Sequence, residues 1–134
     1  MPYTVPGDVV RVEDGKLAEI IEPSPHRVLP VCRHFGTCGG CALQHWDDTA
    51  YLAWKTGLLA TALQRAGYSE APAPAIRTPP HARSRIDLAV QRKGATLLLG
   101  LHARRSAEIV ALQACPVLHP TLFALIAPLR ALLR

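Results

Sequence analysis

Cys32-Arg33-His34-Phe35-Gly36-Thr37-Cys38-Gly39-Gly40-Cys41 is the stretch whose reading decides what this chain is. Three cysteines fall within it, with five residues and then two between them. Pro25, Pro30, Gly36, Gly39 and Gly40 keep most of positions 24 to 46 out of regular structure, so the cysteines sit on a loop. The fourth cysteine, Cys115, lies far downstream and is followed by Pro116. Three close ligands and one remote Cys-Pro is a recurrent iron-sulfur arrangement. The glycine pair suits it, because residues without Cβ let the backbone wrap a bulky cluster and aim N–H groups at its sulfurs. Four thiolates also suit one zinc ion, although zinc sites usually pair two short knuckles and Cys115 has no neighbouring cysteine. A dithiol redox motif at Cys38-Gly39-Gly40-Cys41 would need a strand-to-helix setting that the surrounding Pro and Gly do not provide. Spacing therefore favours a cluster and leaves zinc open. His34 and His45 flank the group, but a lone histidine beside a metal loop more often packs or hydrogen-bonds.

Upstream of the loop, Val9-Val10-Arg11-Val12 and Leu17-Ala18-Glu19-Ile20-Ile21 are two short β-rich runs around Glu13-Asp14-Gly15-Lys16, where Asp-Gly signals a hairpin. Two strands alone are marginally stable, so they either join another sheet or end a barrel that begins earlier. Downstream, a helix is predicted from Asp47 or Asp48 to Gly67. Its Tyr51, Trp54, Leu58, Leu59, Ala62 and Leu63 are expected to bury one face. Ala-Pro-Ala-Pro at 71 to 74 and Thr-Pro-Pro at 78 to 80 mark an extended connector. Beyond it, Ile86 to Val90 reads as a strand, Arg92-Lys93-Gly94 as a turn, Thr96 to Leu101 as a second strand and Ala107 to Leu112 as a third. Leu122, Leu125, Ile126, Leu129 and Leu132 lie on one helical stripe that stops at Arg134 without a C-cap signal, so the chain reads as cut.

The 134 residues are 49% hydrophobic, enough for an ordinary domain with a core. No apolar run approaches the roughly 20 residues a bilayer span needs, and no transmembrane helix is expected. The N-terminus lacks the basic start and apolar run of a signal peptide, which points to the cytoplasm. In that reducing compartment cysteines favour metal over disulfides. Charge is divided: residues 1 to 76 carry six Lys and Arg against eight Asp and Glu, residues 77 to 134 nine against two. A basic half of that kind attracts phosphate backbones.

The string from Cys32 through Cys41 and on to Gln44-His45 resembles the cluster motif of RNA 5-methyluridine methyltransferases, the family that includes 23S rRNA uracil-C5-methyltransferases. The similarity continues through Tyr51, Trp54-Lys55, the pair Arg83 and Arg85 opening a strand, and Cys115-Pro116-Val117-Leu118. Pro2 to Val10 and Glu22 to Arg27 resemble the closing part of that family's TRAM domain, an OB-like RNA-binding barrel. The resemblance implies an α+β chain. Residues 1–28 would be the remnant of the TRAM barrel, and 29–134 an iron-sulfur central domain with a small antiparallel sheet and two helices. Within the latter, 44–76 would be a helix resting partly on a methyltransferase domain that this sequence does not contain.

It further implies a 4Fe-4S cluster on Cys32, Cys38, Cys41 and Cys115 that helps hold structured RNA, ribosomal by first expectation. The parent would transfer a methyl group from S-adenosylmethionine to C5 of a uridine, which needs a cysteine nucleophile, a base and a base flipped from its stack. This sequence has no Gly-x-Gly cofactor loop, no Asp-Pro-Pro-Arg and no Ser-Cys-Asn-Pro segment, so no S-adenosylmethionine site and no catalysis is expected of it alone. The RNA contacts expected are Arg83, Arg85, Arg92, Lys93, Arg104 and Arg105 on phosphates and Phe35 stacked on a base. Two other classes compete: a small electron-transfer iron-sulfur protein, which needs no basic half, and a zinc-binding nucleic-acid module, which needs no glycine-rich loop.

Overall fold

A computed structural model of the chain describes residues 2–133. Their elements are β1 (Val9–Glu13), β2 (Lys16–Glu22), α1 (Asp48–Arg65), β3 (Ala89–Lys93), β4 (Thr96–His102), β5 (Ile109–Ala111), α2 (Pro120–Ala124) and α3 (Ile126–Leu132). Both sheets are antiparallel, β1-β2 and β3-β4-β5, so the class is α+β. The chain forms two compact units: residues up to Leu29 with His45–Thr78, and Pro30–Gln44 with the chain from Pro79 onward. This partition differs from the sequence boundaries of 1–28 and 29–134, because residues 45–78 gather with the N-terminal segment.

In the first unit Asp14 and Gly15 both have positive φ, 48° and 72°, the backbone of a type I′ turn, and they close the hairpin with Glu13 opposite Lys16. Among the described residues this sheet has two strands and closes no barrel. The segment after it is stitched to the start of α1 by Val28 N–H to His45 O at 3.0 Å and Asp47 N–H to His26 O at 2.8 Å. α1 starts where Asp47 accepts the Ala50 N–H at 3.0 Å. It ends in a Schellman motif, with Gly67 at φ 87° and the Tyr68 N–H on Leu63 O. The expected buried face is not observed. No residue of α1 is buried, and Trp54, Leu58 and Leu59 are 39%, 51% and 51% exposed. The physical reason is that no strand or other helix packs along it among the described residues.

In the second unit Leu99, Leu112, Leu118 and Ile126 are buried together, with Ile86, Leu88, Leu101, Leu122, Phe123, Cys38 and Cys115 packed against them. The strand expected at 86–90 is displaced. A two-residue turn at Gly94-Ala95, with Gly94 at φ 57°, pairs Lys93 with Thr96, so Arg92 and Lys93 belong to the strand and 86–88 do not. Arg83 opens no named strand; it makes a single parallel bridge to Leu118. β4 approaches β5 so closely at Gly100 that a Cβ there would stand 1.9 Å from Val110 O. The C-terminal stripe is two helices rather than one, because Pro128 has no N–H to give the Ala124 carbonyl.

Candidate metal centre and nucleic-acid interface

The cysteine loop is positioned by the end of β4. Gly39 donates its N–H to His102 O at 2.9 Å, Cys38 bridges Ala103, and Arg104 donates its N–H to Thr37 O at 3.2 Å. A Cβ on Gly39 would lie 2.9 Å from His102 O, so the close approach to the end of β4 itself requires this glycine. Gly40 differs. Its N–H points at Cys38 Sγ, 3.4 Å away, and a Cβ there would meet Leu101 Cδ1 at 3.1 Å and Cys38 Sγ at 3.5 Å. His34 accepts the Gln113 N–H on Nε2 at 3.0 Å, which ties the loop to the segment that leads into Cys115.

That segment is held in turn by the residues after the connector. His81 and Arg83 donate their N–H groups to Pro116 O and Val117 O, and His119 returns one to Arg83 O. As a result Cys32, Cys38, Cys41 and Cys115 all line one cavity, together with His34, Phe35, Gln44 and Arg83. The four thiols are free and half-buried. Among the described residues, however, no three Cys, His, Asp or Glu are grouped so as to hold a metal ion. Burial pushes the Cys41 thiol up, opposed by the nearby Gln44 side chain and by the charge of Arg83. Gln44 Oε1 accepts the Cys32 N–H at 3.1 Å, while its Nε2 is buried without a hydrogen-bond partner. Nothing in the sequence reading singled out Gln44 beyond its place in the motif.

The expected RNA contacts do not form one patch. Phe35 is half-buried and lines the cysteine cavity beside Arg83 rather than standing free. Arg92 and Lys93 lie at the β3-β4 turn, with Arg92 donating to Leu133 O at 2.5 Å. Arg104 and Arg105 follow β4 at its other end, roughly 20 Å away along the strand. Arg104 is half-buried, whereas Arg85 and Arg105 are exposed. All seven belong to the second unit, whose sequence holds nine Lys and Arg against two Asp and Glu.

The first unit holds a feature the sequence reading missed. Asp8, its side chain 1% exposed, accepts from Arg27 Nε and Nη2 at 3.1 and 2.8 Å and from the Val5 and Ser24 N–H groups. The bond from Arg27 holds its carboxyl well below the usual carboxylate range. Beside it, burial pushes the His45 imidazole down, and the charge of Arg27 adds to the effect. Trp46, Tyr51 and Trp54 cluster with ring centroids 5.2 to 6.1 Å apart, and Lys55 Nζ lies 5.8 Å from the Tyr51 ring. No helix among the described residues is long and apolar enough to cross a membrane.

No protein-family model matches the chain. It is 42% identical over 130 residues to an uncharacterized RNA methyltransferase of Caulobacter vibrioides, covering 92% of this chain and 31% of that protein. A Brucella suis protein of the same description is 41% identical over 134 residues, covering 97% and 32%. A 23S rRNA (uracil(1939)-C(5))-methyltransferase of Dechloromonas aromatica is 39% identical over 127 residues, covering 91% and 29%. The chain is therefore a homologue of one part of these RNA methyltransferases, and it spans about a third of the length of the curated relatives it matches.

Proposed function

We propose that this chain is the RNA-binding, 4Fe-4S cluster-carrying portion of an S-adenosylmethionine-dependent RNA uracil-C5-methyltransferase. The observation that carries the reading is the convergence of Cys115 with Cys32, Cys38 and Cys41 on one cavity. The donor set fits: four thiols without a carboxylate, a backbone N–H aimed at Cys38 Sγ, and a buried amide with no other partner. The cavity among them is about 20 Å³, little more than one water molecule needs, so loading requires the thiol side chains to turn apart. When bound, the cluster would act as a cross-link between the 32–41 loop and the Cys115 segment, closing a long loop. A single zinc ion is favoured less, because four-thiolate zinc sites usually pair two short knuckles and Cys115 has no neighbouring cysteine.

The second unit, with its net basic sequence, supplies the RNA affinity in this reading, and ribosomal RNA is the expected class because one relative bears that name. A small electron-transfer protein would need neither. The hairpin β1-β2 is read as the end of the TRAM barrel. The exposed Trp54, Leu58 and Leu59 of α1 are read as a surface for the parent's methyltransferase domain, where S-adenosylmethionine would bind. The parent is placed in the cytoplasm, off the membrane.

Purification without oxygen, followed by a visible spectrum and assay of iron, sulfide and zinc, tests the cluster. A colourless zinc-loaded protein would sink it. Binding to structured rRNA fragments should weaken steeply with salt, and replacing Arg83 and Arg85 together should lower the salt slope by about 2. Affinity indifferent to both would refute the RNA assignment. With S-adenosylmethionine added, this chain alone is expected to methylate nothing.

A further inference from the structure

Gln44 sits where the cysteine loop ends, and its two amide atoms have unequal surroundings. Oε1 accepts the Cys32 N–H at 3.1 Å. Because a backbone N–H can only donate, this bond fixes which end of the amide is oxygen and which is nitrogen. Nε2 is then directed away from Cys32 into the protein, where it is buried and has no hydrogen-bond partner among the described residues. A buried amide N–H without an acceptor costs about 1–3 kcal/mol, so an acceptor is expected in the working state. The group lines the same cavity as the four thiols.

We propose that Gln44 is a positioning residue of the metal centre: Oε1 holds the backbone of Cys32 while Nε2 donates an N–H bond to a ligating sulfur of the same cavity. This inference rests on the cluster reading above. Cys32 is fixed through its own N–H and Cys38 Sγ faces the Gly40 N–H, and the side-chain amide adds a further donor to the same cavity. Hydrogen bonds to ligating sulfur stabilise the more reduced cluster by offsetting its added negative charge, and so raise its potential. One side chain spanning two ligands couples the geometry of the loop to the electronics of the centre.

The test uses the chain purified without oxygen, as wild type and as Gln44→Met and Gln44→Glu. Methionine keeps the length and neutrality but offers neither bond, while glutamate keeps an acceptor for the Cys32 N–H and loses the donor. In both variants the reduction potential should move to more negative values, and the cluster should be lost in air roughly 10-fold faster. In the wild type, the reduced cluster should show magnetic coupling to a 15N-labelled glutamine side-chain amide, and Gln44→Met should abolish it. The coupling is read on the unaltered chain, so it decides the matter even where a variant fails to fold. A wild type without iron and sulfide would overturn the cluster reading and this inference with it. A wild type that holds the cluster but shows no amide coupling, with potential and air lifetime unchanged in the variants, would overturn the inference alone.

Discussion

The two units of this chain are ordered by different kinds of interaction. In the first, the buried group is ionic: Asp8 and Arg27 join the N-terminal segment to the residues after the hairpin, and among the described residues only Val5 and Trp46 are buried apolar residues. In the second, Leu99, Leu112, Leu118 and Ile126 form an apolar core with Cys38 and Cys115 against it. Charge is divided the same way, six Lys and Arg against eight Asp and Glu in the first and nine against two in the second. The contrast shows how a small domain can be held without a large core. A desolvated, multiply bonded carboxylate fixes geometry in one unit, while in the other a few leucines pack with two of the four cysteines that the proposed cluster would join.

Spectroscopy can follow the units separately. Both tryptophans and all three tyrosines fall in the first, whereas the four cysteines fall in the second. The largest effect expected is that of Cys115→Ser: bound iron should fall at least about 10-fold while the fluorescence transition of the first unit stays in place. Retention of full iron would remove Cys115 from the ligand set. Next, Leu118→Ala should destabilise the second unit by about 2–5 kcal/mol, read by amide exchange, because Leu118 is fully buried. A value near zero would mean that the leucine cluster does not hold this unit.

Arg27→Ala should cost the first unit about 3 kcal/mol in denaturant titrations followed by tryptophan fluorescence, since it strands a desolvated carboxylate. Adding Asp8→Asn should recover part of that loss. If the single variant unfolds at the wild-type midpoint, the ionic description of the unit is wrong. The smallest effect is that of pH. His45 has its folded pKa lowered by burial, so the unfolded chain binds the extra proton first and stability declines as pH falls below about 6.5. The carboxyl of Asp8 is also lowered in the fold, which keeps its contribution intact above about 4 and removes it as pH falls further. The denaturant midpoint of the first unit, read by tryptophan fluorescence across pH, should therefore fall in two windows, and Asp8→Asn should erase the lower one.

Local chemistry was legible in the sequence where a few adjacent residues decide the outcome. Asp14-Gly15 named its turn, and Asp47 and Gly67 named the ends of α1, because caps and turns are satisfied within a few residues. Thr96 to Leu101 named β4 to within one residue. The single helix read at the C-terminus was divided by Pro128, a local signal that the apolar stripe outweighed. The start of β3 was misplaced because strand ends follow register, and register follows the two-residue turn at Gly94-Ala95.

The four cysteines and their spacing came from the sequence alone, since ligand type and order along a chain are one-dimensional facts. That Cys115 shares a cavity with the other three is a tertiary result, produced by the His34–Gln113 bond and by residues 81–83 running beside 116–119. The role of Gly39 was decided the same way, by the backbone of β4 at His102. So was the Asp8–Arg27 pair, whose partners lie 19 residues apart and whose burial no motif announces. Composition and spacing determine which groups are available, but burial and mutual distance depend on chain segments that meet only when the fold closes, and these decide which of those groups can act together.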